Sequence, residues 1–179
     1  MSRLAALAAV GQSIWIDDLG RDLLVSGELA DRVASQNVTG VTSNPTIFAA
    51  AILGSNEYAD QLDREARQGA STPEIYAALI TKDIQGACDV LRPVWDRSGQ
   101  RDGLVSVEVS PDLAHDTEGT VAEVREWVKR IDRPNLLVKV PATQEGVPAV
   151  ASLIAEGISI NITLIFSLDR YQRVMEAYL

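Results

Sequence analysis

Cysteine and histidine are scarce in this sequence: the 179 residues hold one of each, Cys88 and His115. A lone cysteine cannot close an internal disulfide, so no disulfide framework is present and nothing points to secretion. A lone cysteine and a lone histidine build neither a zinc cluster nor a multi-histidine metal centre. Positive charge is also short, with 16 Lys and Arg against 25 Asp and Glu, a formal net charge of −9. A phosphate backbone is bound by clustered Lys and Arg, and no basic run exists here, which excludes a nucleic-acid binder. No segment approaches the ~20 apolar residues of a membrane span. The short run Leu4 to Val10 (LAALAAV) sits at the minimum length of a secretory-signal core. It has one preceding positive side chain and no good small-x-small cleavage pattern before Gly11 and Gln12, so it reads as a packed N-terminal helix. The expected location is the cytoplasm, and no metal or organic cofactor is expected.

What the sequence does have is repetition of one pattern. A short apolar run rich in β-branched residues is followed by a cap signal and then by apolar residues at helical spacing. The runs are Ser13–Asp17, Thr39–Ser43, Leu104–Val109, Leu136–Val140 and Ile158–Phe166. Ser26 can cap a helix over Gly27–Gln36. Thr72, Pro73 and Glu74 form a helix start, because proline in the first turn loses no hydrogen bond. From there Ile75, Leu79, Ile84, Cys88 and Leu91 fall at helical spacing, and Pro93 is expected to kink or end the helix. Val121, Val124, Val128 and Ile131 mark another stripe, and Val147, Val150, Ala151 and Ile154 a third. Ser167 can cap a last helix carrying Tyr171, Val174, Met175 and Tyr178. Strands alternating with helices imply a parallel sheet, because parallel neighbours need crossover connections. No linker or low-complexity tract divides the chain, so residues 1–179 read as a single α/β domain.

Each strand carries a polar residue in or near its C-terminal half, where a parallel strand covered on both faces should be apolar nearly throughout. Asp17 closes the first, Thr42 and Asn44 close the second, and Glu108 lies in the third. Lys139 lies in the fourth, and Asn161 with Thr163 in the fifth. Parity puts Ser106 and Glu108 on one face of their strand and Val105, Val107 and Val109 on the other. Collecting Asp, Glu, Lys, Asn and Thr at the strand ends is what a (β/α) barrel does at its C-terminal face. Each residue taken singly has a plainer reading. Lys139 and Glu108 would make a satisfied ion pair, Asp17 a helix cap, Asn44 before Pro45 a bare turn, and Thr163 an ordinary strand residue. The set as a whole favours chemistry. A lysine among valines and leucines is desolvated, which favours its neutral, nucleophilic amine, and such an amine attacks a carbonyl while nearby carboxylates move protons. His115 reads as a loop residue and Cys88 as a small buried hydrophobe. Gly99 to Gly103 reads as a plain turn.

The segments IWIDDL, GVTSNPTIF, VSVEVSPDLAHD, NLLVKVPAT and INITLIFS, in that order, closely resemble the bacterial transaldolases, from about Ser13 to the C-terminus. The resemblance implies that Lys139 forms the Schiff base and that Asp17, rather than Asp18, is the acid/base for carbon–carbon cleavage. It implies that Glu108 works through a water that Thr163 helps to hold, and that Asn44, Thr42 and Asn161 bind substrate hydroxyls. The implied reaction transfers a dihydroxyacetone unit from fructose 6-phosphate or sedoheptulose 7-phosphate to an aldose phosphate, in the pentose phosphate pathway. A fructose 6-phosphate aldolase-like lyase, or a catalytically silent barrel acting only by association, are the alternatives. The second motif departs mildly, with Ser43 and Thr46 where many relatives have threonine and serine. Length departs more: a complete eight-stranded barrel takes ~250 residues, with ~200 near the lower end. Five strands are legible here, so the fold expected is an incomplete TIM-type barrel lacking its last three strand–helix units and the family's phosphate-binding arginines. An open sheet of this kind exposes edges through which copies would associate, whether the chain is a fragment, a truncation or a protomer.

Overall fold

The structure, a computed structural model, describes residues 3–179. The chain forms two compact units: one runs to Val105 and takes in Arg133–Asn135, and the other comprises Ser106–Asp132 and Leu136–Leu179.

The first unit begins with α1 (Arg3–Ala9), which forms as expected but buries none of its residues. Its alanines favour helix by intrinsic propensity, with no apolar stripe to seat. Strand β1 (Ile14–Asp17) runs parallel to β2 (Val38–Thr42), with Trp15 against Gly40 and Asp17 against Thr42 in register. A Cβ at Gly40 would come within 2.2 Å of the Trp15 ring, so this glycine is what lets the indole lie flat on the neighbouring strand. Between them lie α2 (Arg21–Val25) and α3 (Glu28–Gln36). The cap of α3 is Gly27, at φ 79, rather than Ser26, which ends α2 instead. After β2 come α4 (Pro45–Gly54), α5 (Ala59–Arg67) and the 26-residue α6 (Thr72–Arg97). Helix α6 starts where Thr72-Pro73-Glu74 indicates, with the Glu74 carboxylate accepting from Ser71 N at 2.7 Å and Ser71 Oγ at 2.6 Å. It buries Leu79, Ile84, Cys88 and Leu91 as the spacing predicts, and it continues past Pro93 to Arg97.

Wholly inside this unit is a polar network. Arg21 Nε donates to Asp83, the Tyr58 hydroxyl donates to the other Asp83 oxygen at 2.7 Å, and Arg21 Nη2 donates to Gln61 Oε1 at 3.0 Å. The Tyr58 hydroxyl in turn accepts from Arg21 N at 2.8 Å, satisfying the first N–H of α2. Burial pushes the Asp83 carboxyl up, against the pull of Arg21 and Tyr58.

Strand β3 (Leu104–Glu108) passes from one unit into the other. In the second unit it leads to α7 (Thr117–Ile131), capped by Asp116, whose carboxylate accepts from Gly119 N at 2.9 Å. The buried stripe of α7 is Thr120, Val124, Trp127 and Ile131, so Val121 and Val128 stand off the expected face. Strand β4 (Leu136–Pro141) pairs in parallel with β5 (Ile160–Thr163), and α8 (Gly146–Ala155) connects them. Helix α8 buries Ala149, Val150 and Leu153 and leaves Val147, Ala151 and Ile154 half-buried. Strand β5 stops at Thr163 because Leu164 turns to φ 60, which no strand continues through. Ser167 caps α9 (Leu168–Tyr178) as expected, accepting from Arg170 N at 3.1 Å. Of its apolar residues Val174 is buried, while Tyr171, Met175 and Tyr178 are exposed.

The strand order is β1-β2-β3-β4-β5. Five parallel strands alternating with helices make an incomplete α/β fold of the TIM-barrel type, as expected. Among the described residues no helix is long and apolar enough to cross a membrane.

Candidate active site

Four of the expected site residues lie on the strands of the second unit. Lys139 stands between Val138 and Val140, each fully buried, and its own side chain is 13% exposed. Its Nζ faces Glu108 Oε2 at 3.5 Å, with the Glu108 side chain 22% exposed. That distance is at the outer limit of a hydrogen bond, so the pair is an ion pair without a tight proton bridge. The neighbouring backbone contact, Val109 N donating to Lys139 O at 3.2 Å, ties the two strands where their charged side chains emerge. One step further Ser110 N donates to both oxygens of Glu123 at 3.1 Å each, which anchors the chain leaving β3 onto α7.

Asn161 lies beside Lys139 in register and Thr163 beside Pro141, so both project on one face of β5. The Asn161 amide is held, with Nδ2 donating to Ser106 Oγ at 3.0 Å. The Thr163 hydroxyl is buried and has no hydrogen-bond partner among the described residues. A buried hydroxyl left without a protein partner is an invitation to a water or a ligand oxygen. An amine, a carboxylate, an amide and an unsatisfied hydroxyl thus converge on adjacent strands. Such a set can hold a carbonyl compound, attack it with nitrogen, and move the protons released.

The other three expected residues belong to the first unit. Asp17 ends β1, is exposed, and pairs in register with Thr42 at the end of β2. It is no helix cap, since the next helix begins at Arg21 behind Gly20. Asn44 does cap a helix: its Oδ1 accepts from Ile47 N at 3.0 Å at the start of α4. The cap engages the carbonyl end of the side chain, leaving the amide N–H2 as the group that Asn44 can offer a ligand.

Ser106 and Glu123, which touch or steady this set, were not legible as site residues. Ser106 looks like one more small strand residue, and Glu123 sits on a helix whose surface is rich in carboxylates. The plain readings of the remaining groups hold. His115 is exposed, with Nδ1 3.3 Å from Glu145 Oε2. Cys88 is wholly buried and its thiol is pushed up to about 12, mainly by burial, so it is inert at neutral pH. Asn135, whose Nδ2 donates to Cys88 O at 2.9 Å and Gly103 O at 2.8 Å, gives the Gly99 to Gly103 turn a buried anchor.

Comparison with known proteins adds an independent line. The family model described as transaldolase/fructose-6-phosphate aldolase matches residues 14–178. A transaldolase of Acidothermus cellulolyticus is 54% identical over 175 residues, covering 98% of this chain and 47% of the relative. A transaldolase of Mycobacterium ulcerans is 50% identical over 176 residues, with the same coverage of 98% and 47%. Transaldolase 1 of Streptomyces coelicolor is 51% identical over 176 residues, covering 98% of this chain and 46% of the relative. The chain spans about half the length of the curated relatives it matches.

Proposed function

The chain belongs to the transaldolase/fructose-6-phosphate aldolase family, and from that premise we propose that it carries the Schiff-base chemistry of a transaldolase. The observation that supports this most directly is Lys139, set between two buried valines, 3.5 Å from Glu108 and in register with Asn161. The Lys139 amine attacks the ketone of fructose 6-phosphate or sedoheptulose 7-phosphate. Its surplus proton passes to the Glu108 carboxylate, and the carbinolamine hydroxyl leaves as water to give the iminium. Glu108 works here through a water that Thr163 helps to hold, a role supported by its buried hydroxyl, which has no hydrogen-bond partner among the described residues. In the role the family resemblance gives it, Asp17 takes the proton of the hydroxyl beside the bond that breaks, and an aldose phosphate departs. The electron pair of that bond stays on Lys139 as a three-carbon enamine, which then adds to the aldehyde of an acceptor aldose phosphate. Thr42, Asn44 and Asn161 bind substrate hydroxyls, and the step belongs to the pentose phosphate pathway in the cytoplasm.

The family description names two reactions, so a lyase that releases dihydroxyacetone without an acceptor is the second reading. The two separate on acceptor dependence: a transaldolase turns over fructose 6-phosphate repeatedly only when erythrose 4-phosphate or another aldose phosphate is supplied, and without one it stops after a single aldose phosphate per site. Exposed Phe166 and Leu168 beyond β5, each 87% accessible, support self-association, which light-scattering mass reads directly.

The test of the chemistry is intact mass after incubation with fructose 6-phosphate and borohydride, followed by peptide mapping. A three-carbon adduct on Lys139 is the expected result. An unmodified Lys139 in a folded chain of the correct mass would sink the proposal.

A further inference from the structure

An asparagine beside a reactive lysine presents either its N–H2 or its carbonyl oxygen to what the lysine holds, and the two ends choose opposite partners. Ser106 selects the end. It lies two residues before Glu108 on the same face of β3, is 0% exposed, and its Oγ accepts from Asn161 Nδ2 at 3.0 Å. With the N–H2 end tied to Ser106, the carbonyl end is the one directed elsewhere. Register sets that amide next to Lys139.

We propose that Ser106 is a positioning residue, which fixes the Asn161 amide so that its Oδ1 accepts a hydrogen bond from a hydroxyl of the ketose held on Lys139. This rests on the Schiff-base reading of Lys139. Two features of the strand support it. The neighbours Val105, Val107 and Val109 are apolar and 0–2% exposed, so a hydroxyl at position 106 is a departure that costs free energy unless it is hydrogen-bonded. A hydroxyl is also the smallest side chain that can accept from an amide while fitting a fully buried strand position. A sugar hydroxyl both donates and accepts. A fixed acceptor next to the lysine therefore admits one orientation of that hydroxyl and leaves an unpaired buried carbonyl when an analogue lacks it.

The experiment is a double-mutant cycle on the intact 179-residue chain: wild type, Ser106→Ala, Asn161→Ala and the double variant. For each, the fructose 6-phosphate concentration giving half-maximal borohydride trapping on Lys139 is measured by intact mass. Ser106→Ala is expected to raise that concentration about threefold to tenfold, the usual worth of one hydrogen bond. Trapping at saturation should stay complete, and the double variant should be no worse than Asn161→Ala alone. A trapping curve for Ser106→Ala that overlays the wild type, or effects that multiply in the double variant, would overturn the proposal. A wild-type chain that forms no adduct overturns the Schiff-base reading instead. In that event the side-chain amide resonances of Asn161 decide about Ser106. They should shift and exchange faster with water in Ser106→Ala, and unchanged resonances would refute the positioning role.

Discussion

Asp83→Ala should be among the most damaging single substitutions in the chain, although Asp83 plays no part in the proposed chemistry. Asp83 is 0% exposed and Arg21 4%, so the substitution leaves a guanidinium buried without its counter-charge. Breaking one half of a buried pair costs ~3–5 kcal/mol. The Tyr58 hydroxyl also loses its 2.7 Å acceptor, a cost that overlaps the first because both act on one carboxylate. Arg21 keeps Gln61 Oε1 and Leu79 O as acceptors, which holds the estimate near ~4 kcal/mol rather than higher. For a chain of this length each kcal/mol moves Tm by ~2–4 °C, so the expected fall is ~8–16 °C. Urea unfolding followed by far-UV circular dichroism gives the same quantity as a lower midpoint at unchanged slope. The matched control is Arg21→Met with Asp83→Leu, which removes both charges and should recover most of the loss. An Asp83→Ala variant within ~1 kcal/mol of wild type, or a double variant no better than the single, would show that the buried pair does not govern stability here.

Other outcomes follow from single contacts. Gly40→Ala drives a methyl group into the Trp15 ring, so a loss of ~1–3 kcal/mol and an altered tryptophan emission spectrum are expected. Asn44→Ala removes the cap of α4 and should cost ~1 kcal/mol by thermal unfolding, while Asn44→Asp, which keeps the accepting oxygen, should cost less. The Arg133 guanidinium, hydrogen-bonded to Asp89, holds that carboxyl below the ordinary carboxylate range. The stability it contributes is therefore present above the unfolded value, near ~3.9, and is lost as pH falls through the folded one. Asp89→Asn should flatten that part of the acid limb by well under ~1 kcal/mol, since the pair is largely exposed, and acid titration of the unfolding midpoint checks it.

The strands were legible because β-branched runs such as LVSVEV and LLVKV have few other uses, and parity alone put Glu108 and Lys139 where they could meet. The apolar run Ile158–Phe166 is longer than the strand it forms, Ile160–Thr163, since nothing in INITLIFS announces that Leu164 adopts a left-handed conformation. Helices α4 and α5 escaped for opposite reasons. PTIFAAAILG is apolar all round and so shows no one-sided periodicity, while ADQLDREAR is one-sided but carries a single large apolar residue, Leu62, too little to mark a helix by apolar spacing. Val121 and Val128 misled because the buried stripe of α7 is set by the larger Trp127, with Thr120 taken inside by donating to Leu113 O at 3.1 Å. The network of Arg21, Tyr58 and Asp83 joins residues up to 62 positions apart, and no local pattern encodes such a meeting. Ser106 shows the same limit within the candidate site, because its value lies in a partner 55 residues downstream.

Asn44 illustrates what happens when one side chain serves the scaffold and the ligand together. Its Oδ1 starts a helix while, in the proposed function, its remaining amide faces substrate, so a change of sugar preference that removes the accepting oxygen also weakens α4. Changes of substrate preference at this position would therefore be reached only from a background with stability to spare, or by moving the cap elsewhere first. A library that varies position 44 alone should return stable proteins mainly with Asp, Ser or Thr, which keep an accepting oxygen for α4, and less stable ones with side chains that have none. Pairing it with a stabilising change in the first unit is what would open the route.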